Sequence, residues 1–302
     1  MRHEREYIEA IVVGDDARLE ELLAEMRDDG ALVDLITDRK ATNHSIGYGM
    51  TLLQLASIRE RPPGKPARLL VEHGATIDIH SACGMGLTQS IEHLYRGRSG
   101  IIDDQIDSYV PLQFAITSGR AEVVESLVRL GDDVNRELDK VAYFGWEDNA
   151  IGQDYIRWRP IHMASLWCFN KRRLLVVEAL LAAGADVDAI SPLDGYRSIH
   201  LAAMSDRAEL VQLLVDRGVD IDSRTEACRT INLPHEAGPM EGHECTALLV
   251  AAAEGFVNTT KGLLELGADP GAVNSEGHTA LNFAKRRFWE GQPYDSVIDL
   301  LN

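Results

Sequence analysis

The chain has 302 residues, 45% of them hydrophobic, and a formal net charge of −18 at pH 7. That acidity speaks against nucleic-acid binding, which needs a basic stripe; the dense basic clusters, Lys171-Arg172-Arg173 and Lys285-Arg286-Arg287, read as solvated helix ends. No apolar run reaches the roughly 18 residues of a membrane span, the start MRHEREYIEA lacks the apolar core of a secretion signal, and Cys83, Cys168, Cys228 and Cys245 form no CxxC pair, as in a reduced cytoplasmic chain.

In chain order, the first elements are read as two helices at 7–13 and 17–26 around Gly14-Asp15. One short pattern then recurs: TLLQLA at 51–56, VPLQFA at 110–115, RPIHMA at 159–164, RSIHLA at 197–202, TALLVA at 246–251 and TALNFA at 279–284. Most copies lead into an amphipathic segment and a glycine-led turn: GATID at 74–78, GDDVN at 131–135, GADVD at 184–188, GVDID at 218–222 and GADP at 267–270. A motif returning every one or two helical hairpins signals a stacked array. The repeats are read near 4–30, 49–78, 79–96, 110–135, 159–188, 196–222, 245–274 and 277–302. The second has Pro66 near the start of its second helix, a position where the missing N–H is harmless. The third gives two helices from Ile79 but lacks the closing turn. In the fourth, Val123, Val124, Leu127 and Val128 form a stripe at helical spacing.

The repeated segment resembles the TPLHxA motif of the ankyrin-repeat family, whose period is about 33 residues. The resemblance covers nearly the whole chain. It implies an all-α solenoid of about eight helix-turn-helix repeats, one domain over 1–302, with long finger-loop insertions. A Thr or Ser at the first motif position suits a helix cap. In the family the motif histidine bonds locally and ties one loop to the next. His162, His200 and, on this reading, His80 keep it, whereas Gln54, Gln113, Leu249 and Asn282 stand at the other copies. The resemblance thus assigns these histidines to structure rather than to a metal or catalytic cluster.

The copies begin at 51, 110, 159, 197, 246 and 279, so that only the last interval, 33 residues, matches the family period. The first interval also spans the degenerate third repeat, and four segments break the period, 28–49, 96–109, 136–158 and 223–244, all between a closing turn and the next motif. Insertions in one class of loop decorate one face, often the binding face. The third of them carries Tyr143, Phe144, Trp146, Tyr155 and Trp158, too aromatic for a disordered composition. The residue before each motif copy faces the concave groove in the family; here it is Met50, Tyr109, Trp158, Tyr196, Cys245 or His278. Trp167 is expected at a further groove position. Two readings stay open for the aromatics. Tyr109, Trp146, Tyr155, Trp158, Trp167 and Tyr196, with His278, form a recognition surface, or they pack under the loops as a local core.

Cys228, His235, His243 and Cys245 are residue types that zinc prefers, but no CxxC or HxxxH fixes a geometry, and a polar loop holding them by chance is the alternative. No cofactor is assigned. His44, Asp104, Asp148, Asp154 and His235, with Asp103 and Asp107, are candidate acid–base groups if a partly closed pocket raises carboxyl pKa values. Nothing pairs them, and GxSxG, P-loop, GxGxxG and HExxH motifs are missing. The expected function is recognition of a protein or peptide, basic in character, on the concave, loop-covered face. The alternative is a small-molecule-binding enzyme of hydrolase or lyase type with its pocket under the same loops.

Overall fold

The computed structural model describes residues 2–25, 50–58, 65–106, 109–138, 157–166, 171–192, 195–226, 244–286 and 294–302. Among these residues the regular elements are α-helices and a 3-10 turn at Ser99–Asp103, with β contact confined to isolated bridges at Ile106–Tyr109 and Leu138–Trp158. The architecture is the all-α repeat array that the motif implies. The described residues up to Asp133 form one compact unit, and those from Val134 form a second.

The first unit contains α1 (Arg2–Val13), α2 (Asp16–Glu25), α3 (Leu52–Ile58), α4 (Lys65–Glu72), α5 (Ile79–Met85), α6 (Thr88–Gly97), α7 (Pro111–Ser118) and α8 (Ala121–Arg129). Tyr7, Ile11, Leu19 and Leu22 of the first hairpin join Leu52, Leu55 and Leu70 of the next in one core. Tyr7 Oη donates to Leu22 O at 2.8 Å, so the ring is buried with its hydroxyl satisfied. The first helices α3, α5 and α7 lie side by side. Every residue of α3 is buried, which explains why its sequence, LLQLASI, is apolar nearly all round. The outer helix α8 instead buries a stripe, Val123, Val124, Ser126 and Leu127, and leaves Val128 half-buried.

The second unit contains α9 (Pro160–Leu166), α10 (Lys171–Ala182), α11 (Ser198–Met204), α12 (Ala208–Asp216), α13 (Ala247–Ala253), α14 (Val257–Glu265), α15 (Ala280–Arg286) and α16 (Tyr294–Leu301). Here α9, α11, α13 and α15 pack in sequence as an inner layer, and α12, α14 and α16 as an outer one.

The glycine-led turns close the outer helices by one device. Gly74, Gly131, Gly184, Gly218 and Gly267 have φ between 90° and 102°, which only glycine adopts freely. The following N–H reaches back over the turn: Ala75 to Leu70 O, Ala185 to Leu180 O and Ala268 to Leu263 O at 3.0, 2.9 and 3.0 Å, and Val219 to Leu214 O at 3.2 Å. This is the Schellman arrangement, in which an apolar residue after the glycine packs on the helix. Ala75, Ala185, Val219 and Ala268 are all buried. The Gly-Ala part of the turn is therefore a helix stop, and the aspartate after it begins the finger.

The candidate recognition surface

The first helices start with caps built from the first and fourth motif positions, reciprocal in some repeats and one-sided in others. The Oγ1 atoms of Thr51, Thr246 and Thr279 accept N–H bonds from Gln54, Leu249 and Asn282 at 3.2, 3.4 and 3.3 Å. In return, Gln54 Oε1 accepts from Thr51 N and Asn282 Oδ1 from Thr279 N, at 2.8 and 2.9 Å. Val110, Arg159 and Arg197 replace the threonine in three repeats, and none of these side chains has an acceptor. Only the return bond remains: Gln113 Oε1 accepts from Val110 N at 2.9 Å, and His162 Nδ1 and His200 Nδ1 accept from Arg159 N and Arg197 N at 3.1 Å each. A ring that accepts at Nδ1 carries its proton on Nε2. His162 Nε2 donates to Ala189 O at 2.8 Å and His200 Nε2 to Ser223 O at 3.0 Å, tying each helix to the next loop. Burial, together with the nearby Arg197 charge, lowers the His200 pKa to about 4, so the ring is neutral.

His80 needs a correction of register. Asp78 caps α5: its Oδ1 accepts from Ser81 N at 2.8 Å, and Ser81 Oγ accepts from Asp78 N at 3.0 Å. Ser81, not His80, therefore holds the motif-histidine position. The GATID turn runs straight into α5, with Asp78 both ending the turn and starting the helix. His80, one residue earlier, donates instead from Nε2 to Asp104 O and Tyr109 O at 3.1 and 3.2 Å and sets its ring against Phe114.

Tyr109, Trp158 and Tyr196 are 5%, 1% and 4% exposed. Trp158 packs its ring toward His162 and Tyr196 toward His200, with centroids 6.3 and 6.0 Å apart. In both repeats the residue before the helix covers the histidine that caps it. The local-core reading describes these surroundings. His278 differs: its side chain is 30% exposed, sits 3.5 Å from the Glu276 carboxylate and meets Phe283 edge-on. Trp146, Tyr155 and Trp167 lie outside the described residues.

Several aspartates on the fingers are left exposed to solvent. Asp186, Asp220 and Asp269 each accept an N–H from two residues on, at 3.2, 3.1 and 2.8 Å, which fixes the turn. Adjacent fingers are joined by side chains: Asn135 Oδ1 accepts from Asp186 N and its Nδ2 donates to Gly184 O, while Asp222 Oδ1 accepts from Asp269 N, at 2.8, 2.9 and 3.1 Å. Arginines cross the same face. Arg159 Nη1 donates to Asp186 Oδ2 at 3.1 Å, and Arg197 Nη1 to Arg224 O at 2.6 Å. The sequence signal for this crossing is arginine at the threonine position of RPIHMA and RSIHLA.

The described acid–base candidates are already engaged. Asp104 receives both terminal nitrogens of Arg98 at 2.9 and 2.7 Å. The ion pair borders a cleft of about 500 Å³ walled by Ile77, Leu94, Ile101 and Ile106, with Asp78 and His80 at its side. Cys245 is fully buried; its carbonyl accepts from Thr225 N and its own N–H donates to Thr225 Oγ1, both at 3.0 Å. Among the described residues no group of three or more His, Cys, Asp or Glu side chains could hold a metal. His44, Asp107, Asp148, Asp154, Cys228, His235 and His243 lie outside them. No described helix is long and apolar enough to cross a membrane.

Residues 161–215, spanning α9 to α12, match the family model described as ankyrin repeats (many copies). The chain is 29% identical over 186 residues to the human ankyrin repeat and SOCS box protein 6, covering 60% of this chain and 39% of that protein. It is 29% identical over 231 residues to the chicken nuclear factor NF-kappa-B p105 subunit, covering 68% and 21% respectively. A 109-residue stretch is 32% identical to the Arabidopsis thaliana E3 ubiquitin-protein ligase KEG, covering 36% of this chain and 6% of that protein. The aligned stretches thus span well under half the length of these relatives. With the motif, its helix pairs, its Schellman turns and these similarities in agreement, the chain belongs to the ankyrin-repeat family.

Proposed function

We propose that the chain is a cytoplasmic recognition scaffold whose protein partner docks on the face formed by the first helices and fingers. The observation that carries this reading is the division of labour along each repeat. The apolar side chains of α7, α9, α11 and α13 are consumed by the core. The fingers hold exposed Asp186, Asp188, Asp220 and Asp269 on a frame braced by bonds within and between turns. Preordered carboxylates lose little freedom on binding and suit a basic partner surface. The buried Trp158 and Tyr196 support that face from beneath.

Zero-length carboxyl-to-amine cross-linking in a native extract, followed by peptide mapping, tests the docking face. Links from partner lysines to Asp186, Asp188, Asp220 or Asp269 are expected. Links concentrated on Glu125, Glu209, Asp216 or Glu265 of the outer helices would overturn it. The double substitution Trp158→Ala with Tyr196→Ala tests the supporting role. Removing two buried rings should destabilise the chain by more than about 3 kcal/mol in urea unfolding. Unchanged stability with lost partner binding would make the rings contact groups instead.

A further inference from the structure

Arg197 and Arg224 are unusual in an acidic chain because, among the described residues, backbone carbonyls alone hold their charges. Arg197 stands where Thr51, Thr246 and Thr279 cap their helices, and its own cap bond is made by its backbone N–H, which leaves the side chain free of that duty. Its Nη1 donates to Arg224 O at 2.6 Å. Arg224 Nη1 in turn donates to Glu244 O and Val273 O at 3.2 and 2.5 Å. The two side chains are therefore anchored in series across consecutive fingers of the second unit.

A carbonyl is a dipole, so these bonds orient a guanidinium without neutralising it. Among the described residues neither side chain has a carboxylate partner, whereas Arg159, at the equivalent position one repeat earlier, is paired with Asp186 at 3.1 Å. Glu226 and Glu244 are exposed neighbours in sequence, and neither carboxylate bonds to the pair. Each guanidinium has five N–H donors in a planar fork, and the anchoring bonds use one nitrogen of each. What remains is a fork geometry matched to a carboxylate.

We propose that Arg197 and Arg224 form a receptor for the carboxylate of an Asp or Glu side chain in the partner protein. The proposal rests on the finger-docking reading above. On a face whose other fixed charges select basic groups, a demand for an acid at one point sets the partner's register. It also discriminates against plain polybasic segments that overall charge would admit.

The test is a two-dimensional NMR titration that follows the Nε–Hε signals of Arg197 and Arg224 in the intact chain. The probe is the capped peptide acetyl-Ala-Glu-Ala-Glu-Ala-amide, with its Gln analogue as control. Both arginine signals should move saturably with the Glu peptide and stay still with the Gln peptide. R197Q and R224Q should each weaken binding about tenfold, the loss of one charge-assisted contact. R197Q should keep the wild-type unfolding midpoint, because the helix cap uses the backbone. Absent shifts, equal shifts with the Gln peptide, or full affinity in both variants would overturn the receptor. Inorganic phosphate that moves the signals while the Glu peptide does not would also overturn it. Failure of the docking face is separable: cross-links on the outer helices would sink that reading with the titration intact, and a silent titration with finger cross-links would sink only the receptor.

Discussion

His200 accepts at Nδ1 and donates from Nε2, so a second ring proton would destroy the bond to Arg197 N. Its folded pKa of about 4 lies below the ordinary 6.5. As pH falls, the unfolded chain takes the proton first. The stability owed to the neutral ring is therefore complete above pH 6.5 and is lost on descending from there to about 4. The full loss is on the order of 3 kcal/mol, at about 1.4 kcal/mol per pKa unit. His80 is shifted in the same direction, mainly by burial. Glutamine fills the equivalent cap position at Gln54 and Gln113, so His200→Gln should keep the cap bond without titrating. Its urea midpoint should fall less steeply than that of the parent between pH 6.5 and 4. Parallel curves for the two proteins would sink this account of the ring.

At the scale of the element, first helices approach closely where side chains are small. A Cβ added to Gly84 on α5 would lie 2.3 Å from Ser57 Oγ and 2.7 Å from Ser57 Cβ on α3. Ser57 cannot swing away freely: its Oγ donates to Gln54 O at 2.7 Å, and its own carbonyl accepts from Ser118 Oγ of α7 at 3.0 Å. Gly84→Ala should therefore cost about 1–3 kcal/mol through overpacking. A Cβ added to Gly97, at the end of α6, would meet no atom within 4 Å, and Gly97→Ala should be close to neutral. Equal effects of the two substitutions on the thermal midpoint would show that the α3–α5 approach is not tight. The α10, α12 and α14 closures follow the same logic on the outer side, where a glycine with positive φ and a buried Ala or Val end the helix together.

For the molecule as a whole, a net charge of −18 means repulsion among exposed carboxylates. The exposed pairs that offset it, such as Arg5–Glu9 and Lys261–Glu265, are worth little individually. Raising salt from about 0.01 to 0.15 M shortens the screening length from about 30 to 8 Å. The thermal midpoint should therefore rise over that range. A fall would mean that specific surface pairs outweigh the repulsion. The same acidity underlies the proposed docking of a basic partner on the fingers, against which Arg197 and Arg224 form a local inversion.

The repeat architecture was legible in the sequence because its rules are local. A glycine that must adopt positive φ, an apolar residue after it, and a cap pair three residues apart all operate over short stretches of chain. Those rules placed the helix pairs, and they also assigned His162 and His200 to structure. The register of His80 was not legible, because Ser81 and Asp78 make an equivalent cap without the motif's residue types. Nor was the burial of Tyr109, Trp158 and Tyr196, since the position before the helix reads the same whether it faces a groove or covers a histidine. The roles of Arg197 and Arg224 depend on carbonyls 27 and 49 positions away in the chain. The sequence by itself determined the repeating helix pairs, through short-range backbone geometry. The tertiary structure decided which side chains are buried and which arginines meet carbonyls rather than carboxylates among the described residues, because both depend on what neighbouring repeats bring against them.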